Sequence, residues 1–157
     1  MPTLGHALAP GFSLSEEECL LIVPSGITTA IGGIYCIDTT VVTDGRWTTI
    51  IAVNTTSAGP LTHVNLKGCI PVVAQEVVVG GTGVTAKFKF RGNTKLRADG
   101  TSDIAKGDLL KMKDDLNSVV VCATGDRGVA VAMEARTTNS VGVIDACLFG
   151  ALNLNVD

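Results

Sequence analysis

Two histidines, five cysteines and a few carboxylates at turns are what this 157-residue chain offers to chemistry. His6 and His63 stand apart, and neither falls in a Ser-His-Asp or metal-ligand pattern. Cys19, Cys36, Cys69, Cys122 and Cys147 form no C-x-x-C and have no histidine at ligand spacing. Cys36, Cys122 and Cys147 lie in apolar runs, which predicts reduced, buried thiols of the kind a cytoplasm maintains. Asp114-Asp115 and Asp126 sit at expected turns, where bonding to nearby backbone accounts for an aspartate without catalysis. Gly80-Gly81-Thr82-Gly83 is followed by a strand pattern and by no Gly-Lys-Ser/Thr, so it gives no phosphate cradle. The expectation is a protein that is not an enzyme and holds no cofactor or metal. A small β-barrel enzyme would need acids or an imidazole converging on folding, for instance around His63.

Recognition chemistry has more to work with. In Thr85-Ala86-Lys87-Phe88-Lys89-Phe90-Arg91 the alternation is strict: Ala86, Phe88 and Phe90 share one face, and Lys87, Lys89 and Arg91 the other. Lys95 and Arg97 continue the cations with no acid between. Such a row suits docking to an acidic protein surface. It equally suits a strand kept soluble by charges that discourage edge pairing. Direct nucleic-acid binding has little support, since the net charge is −3 and the interleaved aromatics point away from the cations.

The elements that must carry these residues are strands. Val, Thr and Ile number 19, 18 and 10, side chains that are stiff at the first torsion and suit a pleated surface, and 18 glycines punctuate them. Asp103 to Gly150 shows the pattern most clearly, with Leu109-Leu110, Val119-Val120-Val121, Val129-Ala130-Val131-Ala132 and Val141-Gly142-Val143-Ile144 separated by Gly, Asn and Asp clusters. Thr43-Asp44-Gly45-Arg46 carries the Asp-Gly pair of a two-residue hairpin. The fold expected is all-β: a single compact β-barrel or β-sandwich (β-tulip-like) domain over residues 16–157, with an extended N-terminal arm over 1–15. The end of the arm repeats Ser-x-x-Glu, as a one-turn cap or as an acidic lead-in to the first strand.

Only 17% of residues are charged, against roughly 25% in typical soluble domains, and the mean hydropathy is +0.40. Part of the surface is therefore expected to be covered by other subunits, a thick barrel with a large interior being the alternative. No membrane span is expected, because Pro24, Gly26 and Gly32 interrupt one charge-free stretch and Asn54, Gly59 and Pro60 the other. The N-terminus shows no basic segment leading into an apolar one.

The order Ile104-Ala105-Lys106-Gly107-Asp108-Leu109, then Val121-Cys122-Ala123, Gly128-Val129-Ala130-Val131-Ala132-Met133-Glu134-Ala135, Val141-Gly142-Val143-Ile144 and Leu148-Phe149-Gly150 resembles the C-terminal half of head decoration, or capsid cement, proteins of tailed bacteriophages. Lys67-Gly68-Cys69-Ile70-Pro71-Val72-Val73 extends the likeness. The resemblance implies a homotrimer made in the host cytoplasm that sits on the outer capsid surface of the virion. Its partner there would be the major capsid protein, whose expanded lattice it would clamp. In some proteins of that kind the arm adds a strand to a capsid subunit, which puts Thr3, Leu4 and Leu8 among the expected interface residues beside Lys87, Lys89 and Arg91. A carbohydrate- or receptor-binding β-module is the other reading. With one Trp, one Tyr and four Phe the chain has few rings to stack on sugars, and Trp47 is the one candidate.

Overall fold

The computed structural model describes residues 17–43, 45–50, 70–113, 117–137, 140–150 and 154–155. The expected arm, with Thr3, Leu4 and Leu8, and both histidines lie outside them. The described residues are all-β, and their strands close twice. β1 (Glu18–Ile22), β2 (Ile34–Thr43), β3 (Arg46–Ile50), β4 (Pro71–Ala74) and β5 (Thr85–Lys89) form one barrel in the order β1-β3-β2-β4-β5. β6 (Gly92–Ala98), β7 (Leu109–Met112), β8 (Val119–Val121), β10 (Ala130–Ala132) and β11 (Gly142–Leu148) form the second, ordered β10-β11-β6-β8-β7. β9 (Arg127–Gly128) pairs with β12 (Leu154–Asn155) in a small ribbon beside the second barrel.

The local rules hold where they can be read. Thr43 pairs with Arg46 across a two-residue turn, and Gly45 takes a φ of 74°, which glycine adopts without steric cost. In β5, Ala86 and Phe88 point inward and are wholly buried, while Lys87 is exposed. Gly80 passes so close to the Pro24 and Ile27 carbonyls that a Cβ there would overlap backbone oxygen.

The two barrels have one topology. In each, the first strand pairs in parallel with the third, Ile22 with Thr48 and Ala98 with Val119, and all other neighbours are antiparallel. The likeness extends to single hydrogen bonds. Gly32 N donates to Ala74 O as Gly107 N does to Ala132 O, and Gly33 N to Ala30 O as Asp108 N does to Ala105 O. Gln75 N donates to Lys87 O as Met133 N does to Asp145 O. Even a side-chain device recurs: Glu76 Oε1 accepts from Lys87 N at 2.7 Å, and Glu134 Oε1 from Asp145 N at 2.7 Å. The sequence trace of this structural duplication is slight, Val73-Ala74-Gln75-Glu76 against Val131-Ala132-Met133-Glu134.

The barrels meet wall to opening. Gly32 to Ile34, leading into β2, lies between β6 and β8: Arg97 N donates to Gly32 O (2.8 Å) and Ile34 N to Asn117 O (3.0 Å). The Asn117 side chain donates to Tyr35 Oη at 2.8 Å. Ile34, Cys36 and Val73, all from the first barrel, are buried in one apolar cluster with Leu96, Leu110, Met112, Ile144 and Leu148 of the second. The first barrel keeps its own core around Leu21, Tyr35, Val72 and Phe88, with the Tyr35 and Phe88 rings edge to face at 5.9 Å.

One expectation is corrected here. Cys36 is not a free thiol: it is disulfide-bonded, to a partner outside the described residues, while Cys19, Cys122 and Cys147 are free. Wide spacing along the chain set no lower limit on distance once the strands closed into a barrel. The Cys36 sulfur also lies 3.8 Å from that of Met112, across the seam.

Candidate interaction surface

The cations of β5 and the residues after it are divided by the fold. Lys87 and Lys89 stand on the outer wall of the first barrel, and Arg91 follows at the crossing. Gly92, with φ of 82°, turns the chain into the second barrel, so Lys95 and Arg97 of β6 belong to a different wall. Folding also brings acids that the linear row lacks. Lys89 Nζ lies 3.3 Å from Glu17 Oε2 and donates to Asn93 O at 2.7 Å. Lys95 Nζ lies 2.6 Å from Asp145 Oδ1, and this hydrogen bond holds the lysine charged to higher pH than usual. The Arg91 guanidinium sits 5.8 Å from the centre of the Phe90 ring. Lys87 is the exposed residue of β5 and the side chain there most available to a partner.

The remaining charges are similarly placed. Lys113 and Asp99 pair at 2.7 Å, and Lys111 and Asp126 at 2.7 Å. Burial would raise the Asp99 carboxyl, but hydrogen bonds from Lys113 and Thr101 outweigh it and keep the group below the usual carboxylate range. Asp126 also accepts from Ala123 N at 2.6 Å, the local turn bonding expected of it, and Asp108 accepts likewise from Ala105 N at 2.8 Å, while Asp114 and Asp115 lie outside the described residues. These are structural ion pairs and turn caps.

Nucleophile chemistry finds no support at Cys19 or Cys122. Burial, aided by Glu18, pushes the Cys19 thiol up to about 12, and burial with Asp126 pushes Cys122 up to about 11 despite Lys111. A thiol that stays protonated at neutral pH is a poor nucleophile. Among the described residues no three His, Cys, Asp or Glu side chains are grouped to hold a metal ion. No helix there is long and apolar enough to cross a membrane. An open cleft of about 370 Å³ lies over Asn93, Thr94, Lys95, Met133, Asp145 and Ala146, with the Lys95–Asp145 pair across it. Trp47, the candidate sugar platform, packs against the core of the first barrel.

Exposed aliphatic side chains are the feature that the sequence reading did not place. Ile31, Val42, Val77, Val79, Met133, Val141 and Val143 are all exposed, from 44% for Met133 to 73% for Val79. Their strand positions give the clue in hindsight: Val141 and Val143 alternate with the buried Ile144 and Ala146, so they must face outward. No family model matches this chain, and no curated protein matches it.

Proposed function

We propose that this chain is a head decoration, or capsid cement, protein of a tailed bacteriophage: a structural subunit, self-associated as a trimer, that binds the outer surface of the major capsid protein's expanded lattice. The carrying observation is the balance of its described surface. Charges are drawn into local pairs (Lys89–Glu17, Lys95–Asp145, Lys111–Asp126, Lys113–Asp99), while seven large apolar side chains stand in water. Scattered apolar residues are ordinary, but this many on a charge-poor shell favour a surface pressed against neighbours.

The segment that resembles decoration proteins, residues 104–150, supplies four of the five strands of the second barrel. Two rigid barrels joined wall to opening make a body that can bridge adjacent lattice subunits. Stabilisation would then be mass action: a ligand bound only by the expanded lattice stabilises it by RT ln(1 + [L]/Kd) at every site. Trimerisation adds avidity, because contacts held together release slowly.

The test is co-sedimentation of the purified protein with phage heads before and after expansion. Saturable binding to expanded heads, absent from unexpanded ones, is expected. Equal or no binding to the two overturns the reading.

A further inference from the structure

Cys36 stands where the two barrels are joined. It is wholly buried in β2, and with Ile34 and Val73 it belongs to the apolar cluster of the second barrel. Its sulfur lies 3.8 Å from Met112 Sδ of β7. The second barrel grips the start of the same strand, through Arg97 N to Gly32 O and Ile34 N to Asn117 O. β4, which brings Val73 to the cluster, runs beside β2 with Pro71 opposite Cys36. Two strands of the first barrel thus complete the second, and they must keep their spacing for its core to stay filled.

The partner of Cys36 follows from count and reach. The chain has five cysteines. Cys19, Cys122 and Cys147 are free and Cys36 is bonded, so the one cysteine left in the chain is Cys69. Cys69 itself lies outside the described residues, but its neighbour Ile70 is brought to the side of Cys36: Ile37 N donates to Ile70 O at 3.0 Å. One further peptide adds about 3.8 Å along the chain, and a disulfide bridges Cα atoms up to about 7 Å apart.

We propose that Cys36 and Cys69 form a redox-sensitive staple between β2 and the chain entering β4, which holds the wall of the first barrel in the core of the second. The bond forms by exchange with a small-molecule disulfide such as oxidised glutathione. One cysteine thiolate attacks it and expels a glutathione thiolate, and the other cysteine thiolate then attacks the mixed disulfide and expels the second. The two cysteines are oxidised to one S–S bond, the reagent is reduced to two thiols, and the protons that the cysteines give up pass to the departing thiolates. A dithiol reverses the same steps. Cross-linking 36 to 69 removes freedom from the unfolded chain, so the folded wall gains stability only while the bond is closed.

Alkylation of the denatured chain, read by intact mass, tests the pairing. After equilibration in oxidised glutathione three thiols are expected to react, and five after reduction. Cys69→Ser should make Cys36 reactive without reductant. Five reactive thiols in the unreduced wild type, a link between chains on a non-reducing gel, or a Cys69→Ser chain whose Cys36 stays unreactive overturns it. Urea unfolding followed by circular dichroism tests the role. Complete reduction should lower the wild-type midpoint by about 1–2 M and leave that of Cys69→Ser unmoved. Hydrogen exchange at the Ile34 and Arg97 amides, the two donors across the seam, should quicken about tenfold or more on reduction. An unchanged wild-type midpoint, a Cys69→Ser midpoint that reductant also shifts, or unchanged exchange at those two amides overturns the staple and leaves packing alone to hold the seam.

Discussion

The two barrels share strand order, register and turn bonds, yet they are filled differently. Where the first places Tyr35 and Phe88, edge to face and fully buried, the second places Leu110 and Ala146. The volume missing from the second is made up by Ile34, Cys36 and Val73, which enter its apolar cluster from the wall of the first. Topology here is set by backbone bonds and turns, whereas core volume is negotiated locally and across the seam. The first barrel is filled by its own side chains, and the second is completed by a neighbour. Both should therefore unfold together, because losing the first removes part of the second's core.

The largest effect should come from the aromatic pair. Phe88→Ala removes a fully buried ring and should cost about 3–5 kcal/mol, the range for emptying such a site. Trp47 lies against the first core, so its fluorescence reports that barrel, while circular dichroism reports both. Coincident urea transitions by the two probes, in wild type and variant, are expected. Two separated transitions would break the comparison, since the second barrel would then stand without its borrowed side chains.

A smaller effect should expose a swap between the halves. The Arg136 guanidinium occupies the space above Gly142, and Arg136 Nη2 donates to Ser140 O at 2.8 Å. At the corresponding positions the first barrel has Val78 and Val84. Gly142→Val alone would drive a side chain into the guanidinium and should cost about 1–3 kcal/mol. Combined with Arg136→Val it should recover much of that loss, a coupling measurable by a double-mutant cycle in denaturant. Additive losses would show that register, but not packing, is shared.

How much of this was legible in the sequence differs by level. The all-β class followed from β-branched runs between glycines, and the Thr43 to Arg46 hairpin from its Asp-Gly pair, because both are local. The inward set Ala86 and Phe88 followed from period two. Double closure did not, since the halves agree mainly in backbone bonds that many side chains can make, and Val-Ala-x-Glu is too short a repeat to announce itself. The cationic row read as one face because sequence shows only neighbours in the chain. Glu17 and Asp145, which meet Lys89 and Lys95, arrive from other strands. The Cys36 disulfide was hidden for the same reason.

The smallest effect separates the halves by pH. Asp99, its side chain only 5% exposed, holds Lys113 at 2.7 Å and accepts from Thr101 N at 2.9 Å, whereas Pro24 stands at the corresponding place in the first barrel. The carboxyl's folded pKa is depressed, so its contribution is present above the unfolded value of about 3.9 and is lost as pH falls through the folded value. Asp99→Asn should therefore cost about 1 kcal/mol near neutrality, typical of one well-placed charged hydrogen bond. The gap between variant and wild type should narrow as acid protonates Asp99. Urea titrations from pH 7 down to about 3 check this. A gap that stays constant across that range would mean that Asp99 acts through shape and neutral hydrogen bonding alone, and that this position does not separate the halves by pH.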